Sequence, residues 1–274
     1  MREPRIKTEK ADGIGRLRFN RPDRLNAFDN ALMADAMAAL DAFDADDAVH
    51  AVVVSGEGRA FSAGFDLKAA AERNLDSVDK VRAQMGLQFD FVTSFWHTAK
   101  PTIAAVEGYC LAGAFELSLA CDMTVAAEDA VFGEPEVRFG TGAVAMLFPW
   151  VTGPKQAKEI LLTGADRIAA ADALRMGLVN RVVPPGEAEA AALALARQVA
   201  RASSVSVRLT KQAINRSYEA MGMRQALATG LDIDVEINAT PSWEKLEFAR
   251  IRKEEGLKAA IAWRDARFAE DAED

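Results

Sequence analysis

Residues 102–117 read TIAAVEGYCLAGAFEL, which joins an apolar extended segment to a glycine-bearing turn and the beginning of a helix. The pattern predicts a buried strand over 102–107 and a helix over 113–120. Two further extended segments follow at 123–126 and 130–132. Because strands and helices alternate along this part of the chain, we expect an α/β fold.

The alternation continues on both sides of this stretch. Strands are predicted over 16–19, 51–55 and 177–183, and helices over 32–43, 77–98, 143–151, 154–162 and 169–176. After residue 187 the pattern is helical, with segments at 187–202, 205–221, 223–238, 242–254 and 256–270. We therefore expect an α/β core over residues 1–200 and a helical C-terminal region over 201–274. Such a region packs either on another subunit or on its own core, and the pattern leaves both open.

Composition narrows the possible functions. The 274-residue chain has a formal net charge of -8, which disfavours binding to a nucleic-acid backbone as the main activity. His50 and His97 lie far apart and have no cysteine cluster beside them, so no metal site is expected. Cys110 and Cys121 lie in apolar stretches typical of buried free thiols in a reducing compartment. The start lacks a signal-peptide pattern, and no uncharged apolar run reaches the roughly 18 residues that span a bilayer. We expect a cytoplasmic protein without a membrane partner.

Two glutamates stand in apolar, glycine-bearing surroundings. Glu116 lies in the stretch quoted above, and Glu136 lies in Phe132-Gly133-Glu134-Pro135-Glu136-Val137. Carboxylates are seldom buried without a partner or a chemical task. If the two converge in an apolar site, their pKa values rise toward neutrality and they can share acid and base work.

Several familiar catalytic motifs are excluded. The strand at 51–55 precedes a glycine-bearing turn, but Phe61 stands where a dinucleotide-binding fingerprint needs its third glycine. The segment 108–113 has P-loop glycine spacing, yet Ala114 and Phe115 replace the required Lys and Ser or Thr. Ser62 lacks the Gly-x-Ser-x-Gly context of a serine hydrolase.

Two turns remain as candidates for binding an oxyanion. Residues 62–67 and 112–114 each place small residues where a helix is predicted to begin. Free backbone N–H groups at such points can stabilise negative charge on a substrate oxygen. The alternative is that the glycines only permit close packing.

Five motifs in order along the chain carry a resemblance to a known family. They are Arg21-Pro22-x-x-x-Asn26-Ala27-Phe28, Arg59-Ala60-Phe61-Ser62-Ala63-Gly64-Phe65-Asp66-Leu67, Gly108-Tyr109 through Glu116-Leu117, Ala120-Cys121-Asp122 and Phe132-Gly133-x-Pro135-Glu136. Together they closely resemble the crotonase (enoyl-CoA hydratase/isomerase) superfamily over nearly the whole chain. The resemblance implies a spiral of repeated ββα units with an α-helical C-terminal trimerisation region. It also implies homotrimers, often paired as dimers of trimers.

The resemblance further implies an acyl-CoA substrate and a set of binding residues. The backbone N–H groups of Phe65 and Gly113 match the family's oxyanion hole, which polarises the thioester carbonyl. Residues matched to CoA binding are Arg24, Ala63, Phe65, Asp66, Leu67 and Lys68. No metal or separate cofactor is implied, because coenzyme A is part of the substrate.

Glu116 and Glu136 match the two acids that family hydratases use together. Glu116 is expected to activate the water that attacks C3, and Glu136 to hold that water and protonate C2. The resemblance therefore implies a 2-enoyl-CoA hydratase. The alternatives are an enoyl-CoA isomerase or ring-cleaving acyl-CoA hydrolase on the same fold, or a non-catalytic homologue that binds RNA or protein.

Two departures from the family pattern concern the surroundings of Glu136. Residues 141–145 read Thr-Gly-Ala-Val-Ala where hydratases usually carry Pro-Gly-x-Gly-Gly. Glu134 stands where hydratases commonly have glutamine, and we expect Arg138 to neutralise it. The two residues form either a surface ion pair, or a pair that tunes the pKa of Glu136 or selects a polar acyl group. The walls of the acyl pocket are expected at 75–85 and 146–150.

Overall fold

The computed structural model describes residues 3–269, which form ten strands and twelve α-helices. The strands are β1 (Ile6–Ala11), β2 (Ile14–Phe19), β3 (Ala51–Gly56), β4 (Ala60–Ser62), β5 (Thr102–Val106), β6 (Tyr109–Leu111), β7 (Met123–Ala127), β8 (Val131–Gly133), β9 (Ile168–Ala169) and β10 (Arg181–Val183). The helices of the α/β part are α1 (Asn30–Ala45), α2 (Leu67–Ala71), α3 (Val78–His97), α4 (Gly113–Ala120), α5 (Phe148–Val151), α6 (Pro154–Thr163), α7 (Ala170–Arg175) and α8 (Ala188–Arg201). The remaining helices are α9 (Ser204–Ala220), α10 (Met223–Ala239), α11 (Trp243–Glu254) and α12 (Leu257–Ala266).

The strands form two sheets, and the chain alternates between them. The larger sheet has the order β1-β2-β3-β5-β7-β10 and the smaller one β4-β6-β8-β9. In each of the pairs β3/β4, β5/β6 and β7/β8, the first strand joins the larger sheet and the second joins the smaller. Helices follow β4 and β6, and neighbouring turns of the chain pair in parallel. The predicted α/β spiral of repeated ββα units is confirmed.

The central strands of the larger sheet are covered on both faces, which explains their apolar sequence. β5 is buried at every position and β3 at all but its last. One face packs on α1, α3 and α4, and the other on α8. Strands buried in this way are expected to be continuously hydrophobic, as parallel strands between helical layers usually are. Cys110 and Cys121 are free and buried, as predicted.

Sequence patterns missed the shortest and the most exposed strands. β4 and β6 have three residues each, which is too short for a period of two to show. β1 is a polar edge strand that is largely exposed and pairs antiparallel with β2. Because most of its residues are exposed, its sequence does not alternate between polar and apolar residues.

The helix predicted over 143–151 is wrong in its first half, because only Phe148–Val151 is helical. The N–H groups of Val144 and Ala145 donate to the side chain of Glu116. These long-range hydrogen bonds hold residues 144 and 145 in a non-helical path, and the local sequence pattern contains no sign of them.

The C-terminal helices pack on the core of their own chain. α10 lies against α3, and α11 and α12 enclose Phe139 together with Phe248 and Ile251. The boundary at residue 200 stays a prediction, and the end of the predicted helix 256–270 lies outside the described residues. Within residues 3–269, no helix is both long and apolar enough to span a bilayer.

Candidate active site

A cavity of about 1120 Å³ lies between the turn after β4, the end of β6 and helix α12. Phe65 belongs to the first of these turns, Ala112 follows β6, and Ile261 lines the cavity from α12. Glu136 also reaches the cavity wall. The two turns selected from the sequence and one of the two glutamates therefore converge on one space.

The glycines of the two turns allow them to touch. A methyl group at Gly64, whose φ is +82°, would lie 2.6 Å from Cβ of Ala112 and 3.2 Å from N of Gly113. A methyl group at Gly113 would lie 2.3 Å from Cε2 of Phe65. Both distances to carbon are shorter than any real contact. Close packing and oxyanion binding are therefore compatible explanations of these glycines, because the packing brings two N–H groups to one place.

These two N–H groups are available to a ligand. Within residues 3–269, neither the N–H of Phe65 nor that of Gly113 has a hydrogen-bond acceptor. Phe65 is held by its neighbours, since the N–H of Phe28 donates to O of Gly64 at 2.8 Å and the N–H of Asp66 donates to O of Phe28 at 3.0 Å. Gly113 is the first residue of α4, where helix geometry leaves the N–H without a partner.

Ala112 holds the second turn in a conformation that is unfavourable for a residue with a side chain. Its φ is 58° and its ψ is -137°. Such a backbone costs on the order of 1–3 kcal/mol for a residue other than glycine. A hydrogen bond of 2.7 Å from the Ala112 N–H to O of Gly133 in β8 maintains it. The strain lies directly before the candidate oxyanion donor.

Glu136 begins a short 3-10 helix, Glu136–Phe139, that follows β8. Its side chain is buried apart from a small part that faces the cavity. Burial raises the pKa of Glu136 to about 7, and the neighbouring side chain of Glu134 opposes the rise. A carboxyl group with this pKa can donate or accept a proton near neutral pH.

Glu116 lies in the first turn of α4, behind the cavity wall and 1% exposed. Its Oε1 accepts a hydrogen bond from the Val144 N–H at 3.0 Å, and its Oε2 accepts one from the Ala145 N–H. Burial raises its pKa to about 8, the charge of Glu136 adds to the rise, and the two amides oppose it. The charge of Glu136 therefore acts on Glu116, as convergence in one site requires.

Glu134 is a third buried carboxyl beside this pair, and the expectation that Arg138 neutralises it is wrong. Arg138 instead pairs with Asp166 at 3.2 Å and donates to O of Thr163. Neither carboxyl oxygen of Glu134 accepts a hydrogen bond from an N–H or O–H group of the described residues. Burial and the charges of Glu136 and Glu116 raise its pKa well above the ordinary value.

The six residues matched to CoA binding all lie in the cavity wall: Arg24, Ala63, Phe65, Asp66, Leu67 and Lys68. Asp66 has a structural task there, because its Oδ1 caps helix α2 by accepting from the N–H groups of Lys68 and Ala69, both at 3.0 Å. Its other oxygen pairs with Arg21 at 3.0 Å. The Asp66 side chain thus has partners within the protein, and its assignment to CoA binding stays a prediction, as do those of Arg24 and Lys68.

Sequence patterns missed several basic residues of the wall. Arg59, Arg73 and Arg167 line the cavity and add positive charge to that of Arg24 and Lys68. Arg59 opens one of the five motifs, so the sequence did contain a sign of it, whereas Arg73 and Arg167 follow no recognisable pattern. The acyl-pocket wall expected at 75–85 is present through Leu75, Gln84 and Met85. The wall expected at 146–150 is wrong, because this segment does not line the cavity and Val144 does.

The described residues include no group of three or more His, Cys, Asp or Glu side chains arranged to hold a metal ion. The buried carboxyls near the cavity have other surroundings. Glu116 accepts backbone amides, and Glu134 and Glu136 face one another. The arrangement can polarise a carbonyl group at the two free N–H donors and can transfer protons at the glutamates.

Comparison with known proteins agrees with this arrangement. Residues 9–259 match the family model for enoyl-CoA hydratase/isomerase. A probable enoyl-CoA hydratase of Rhizobium meliloti (strain 1021) is 39% identical over 262 residues, covering 93% of this chain and 94% of that protein. The mitochondrial enoyl-CoA hydratase of Pongo abelii is 33% identical over 266 residues, covering 96% and 86% respectively. The crystal structure of an enoyl-CoA hydratase/isomerase from Xanthobacter autotrophicus Py2 has a TM-score of 0.94 and 51% identity, covering 96% of this chain and 98% of that one. The chain therefore belongs to the enoyl-CoA hydratase/isomerase family of the crotonase superfamily.

Proposed function

We propose that this protein is a 2-enoyl-CoA hydratase, which adds water reversibly and with syn geometry to the double bond of an α,β-unsaturated thioester. Family membership supports an enzyme that acts on acyl-CoA. The observation that carries the choice of reaction is the pair Glu116 and Glu136, which are both buried and have pKa values of about 8 and about 7, with the charge of Glu136 raising the pKa of Glu116. An enzyme that only shifts a double bond needs one such acid.

The thioester carbonyl oxygen would bind between the N–H groups of Phe65 and Gly113. Both donors are free of internal acceptors within the described residues and are held by rigid turns. As charge develops on this oxygen, donors fixed in advance stabilise it without reorganisation. Loss of one such donor typically costs on the order of 3 kcal/mol of transition-state stabilisation.

The hydration step follows from the two glutamates. The oxygen of a water molecule forms a bond to C3 while the carboxylate of Glu116 takes one of its protons. The electron pair of the double bond passes to the thioester as an enolate, and Glu136 gives its proton to C2. The product gains one hydroxyl group and one hydrogen, and a proton returning from Glu116 to Glu136 restores the site. The step needs Glu116 ionised and Glu136 protonated. The amides of Val144 and Ala145 favour the ionised form of Glu116, and a proton on Glu136 removes the negative charge that helps to raise the pKa of Glu116.

An enoyl-CoA isomerase is the second candidate, because Glu136 reaches the cavity wall while Glu116 lies behind it. In that case Glu136 alone would carry a proton between two carbons. We further propose that no metal or redox cofactor takes part, since coenzyme A enters with the substrate.

Crotonyl-CoA distinguishes these reactions. Hydration removes the conjugated thioester, so we expect its ultraviolet absorbance to fall on mixing with enzyme. Glu116→Gln and Glu136→Gln should each lower the rate of this loss by at least about a hundredfold, the contribution typical of an acid or base catalyst. Glu128→Gln is the matched control, because Glu128 is an exposed residue at the same cavity. This variant should consume crotonyl-CoA at the wild-type rate. Full activity of Glu116→Gln, or conversion of a 3-enoyl-CoA without hydration, would instead indicate the isomerase.

We also propose that the protein is a homotrimer or a dimer of trimers, the assemblies that the family resemblance implies. Large apolar side chains remain exposed on α9, α10 and α11, including Val205, Leu209, Ile233 and Leu246. Exposed apolar side chains concentrated on one region favour burial in an assembly. Light scattering coupled to gel filtration measures the mass, and a monomer would contradict the proposal.

A further inference from the structure

Helix α10 of the C-terminal region packs along the segment that holds Glu116. This segment, residues 141–146, contains both N–H groups that donate to the glutamate. Val235 of α10 packs with Val144 in one apolar cluster. At Gly230, an added methyl group would lie 3.1 Å from Cβ of Met146, so the helix backbone is close to the segment there. Contacts with α10 therefore extend along the segment.

Asp234 is the polar member of this contact. Its side chain is 2% exposed, and a methyl group at Gly142 would lie 2.8 Å from its Oδ1. Nδ2 of Asn238 donates to the same oxygen at 2.9 Å. Oδ2 is buried and has no hydrogen-bond partner among residues 3–269. A buried carboxyl thus lies directly on the backbone of the turn at Gly142.

The electrostatic surroundings also connect Asp234 with the two glutamates. Burial raises the pKa of Asp234 to about 7, while the Gly142 amide, the charge of Lys245 on α11 and the Asn238 amide oppose the rise. The charge of Asp234 in turn raises the pKa of both Glu116 and Glu136. Such an effect requires proximity in a region of low dielectric constant.

We propose that Asp234 is a positioning residue, which holds the turn at Gly142 and thereby aligns the amides of Val144 and Ala145 with Glu116. The inference rests on the proposed function for the role of Glu116. It assigns to α10 a task in active-site geometry that differs from contact between subunits. Asp234 does not touch the substrate and acts only through the segment.

Steady-state kinetics on crotonyl-CoA with the full chain test this role. Asp234→Ala should lower kcat by about tenfold to a hundredfold, because small displacements of a catalytic group have effects of this size. KM should change less than kcat, because Asp234 itself does not line the cavity. Asp234→Asn retains Oδ1 as an acceptor and should recover most of kcat. The control is Asp232→Ala on the same helix, where the side chain is exposed and pairs with Arg82 at the surface.

Two outcomes would overturn the proposal. One is an unchanged kcat for folded Asp234→Ala. The other is an equal loss in Asp234→Asn and Asp234→Ala, which would indicate that only the charge matters and not the contact with the turn.

A second measurement is independent of catalysis. Gly142→Ala places a methyl group against Oδ1 of Asp234, so it should lower the urea midpoint of unfolding more in the wild-type background than in Asp234→Ala. Equal effects in both backgrounds would contradict the contact. If the wild-type enzyme does not hydrate crotonyl-CoA, the proposed function fails while this coupling can still be measured.

Discussion

Gly113 and Phe65 show how a single residue can serve both packing and chemistry. The ring of Phe65 occupies the space that a side chain at Gly113 would need, with Cε2 2.3 Å from the position of an added Cβ. The same contact brings the two free N–H groups of these residues to one cavity. A substitution at Gly113 therefore changes the shape of the candidate oxyanion hole even though the N–H itself remains.

We expect Gly113→Ala to lower kcat on crotonyl-CoA by roughly a hundredfold or more, the usual effect of losing one oxyanion donor. Gly86→Ala is a matched control in the middle of α3, where an added methyl group has no atom within 4 Å. This control should stabilise the protein by about 0.5–1 kcal/mol through helix propensity and leave kcat unchanged. A Gly113→Ala variant with normal kcat would argue against an oxyanion hole at this turn.

Glu134 permits a prediction about pH dependence at the same scale. Burial raises the pKa of Glu136, and the neighbouring side chain of Glu134 opposes the rise. Glu134→Gln keeps a donor, whereas Glu134→Met removes it. The alkaline limb of kcat, where Glu136 loses its proton, should therefore move to higher pH in Glu134→Met and stay in place in Glu134→Gln. Equal shifts in the two variants would mean that donation from residue 134 does not set the pKa.

At the scale of elements, one ion pair fastens α9 to the α/β part of the chain. Nζ of Lys211 donates to Oδ2 of Asp122 at 2.7 Å and to O of Lys100 at 3.2 Å. The same Asp122 oxygen accepts the N–H of Thr102 at the beginning of β5. The Lys211 side chain is buried, with Asp122 partly exposed. A helix of the C-terminal region is thus tied to the strands that precede the catalytic turns.

We expect Lys211→Met to lower the free energy of unfolding by about 1–3 kcal/mol, because it leaves a partly buried carboxylate without its charged partner. Lys80→Met is the control, since the ion pair between Lys80 and Asp76 is exposed on both sides and should contribute less than about 0.5 kcal/mol. Urea unfolding monitored by circular dichroism gives both values. Similar effects of the two substitutions would show that the pair does not fasten α9.

For the whole molecule, the buried acids predict how stability depends on pH. Glu116, Glu134, Glu136 and Asp234 all have pKa values raised in the folded state, mainly by burial. Each then keeps a proton in the folded chain at pH values where the unfolded chain has released it. The folded state binds more protons, so the free energy of unfolding falls as pH rises from about 5 to about 8. Burial lowers the pKa of His97, so this residue has the opposite effect. It lowers the free energy of unfolding as pH falls through the pKa that His97 has in the unfolded chain.

Glu134→Gln removes one of these titrating groups, so the contribution of Glu134 to the pH dependence of stability can be measured separately. Each proton of difference contributes about 1.4 kcal/mol per pH unit to the slope, so the variant should show a flatter decline than the wild type. Urea unfolding at several pH values between 5 and 8 measures both slopes, and His97 cancels in the comparison. Parallel slopes would contradict a protonated Glu134 in the folded state.

Some elements of the fold could be predicted from the sequence and others could not, depending on their length and on how they are buried. The strand at β3, the long helix α3 and the five C-terminal helices follow from periodicity, because their buried faces repeat within a few residues. The residues of both candidate turns follow from motif order. β4 and β6 were missed, although they precede the two candidate turns, because three residues do not display a period.

The sequence by itself determined the α/β class, most of the longer strands and helices, the family to which the chain belongs, and the candidate residues for an oxyanion hole and two acids. These depend on local patterns and on short motifs, which are complete within a few consecutive residues. Only the tertiary structure decided that Glu134 lies buried without Arg138, that residues 143–147 leave the helical path to hold Glu116, and that α10 places Asp234 on Gly142. Those features are contacts between residues distant in the chain, and burial and pairing at such distances leave no periodic trace in the sequence.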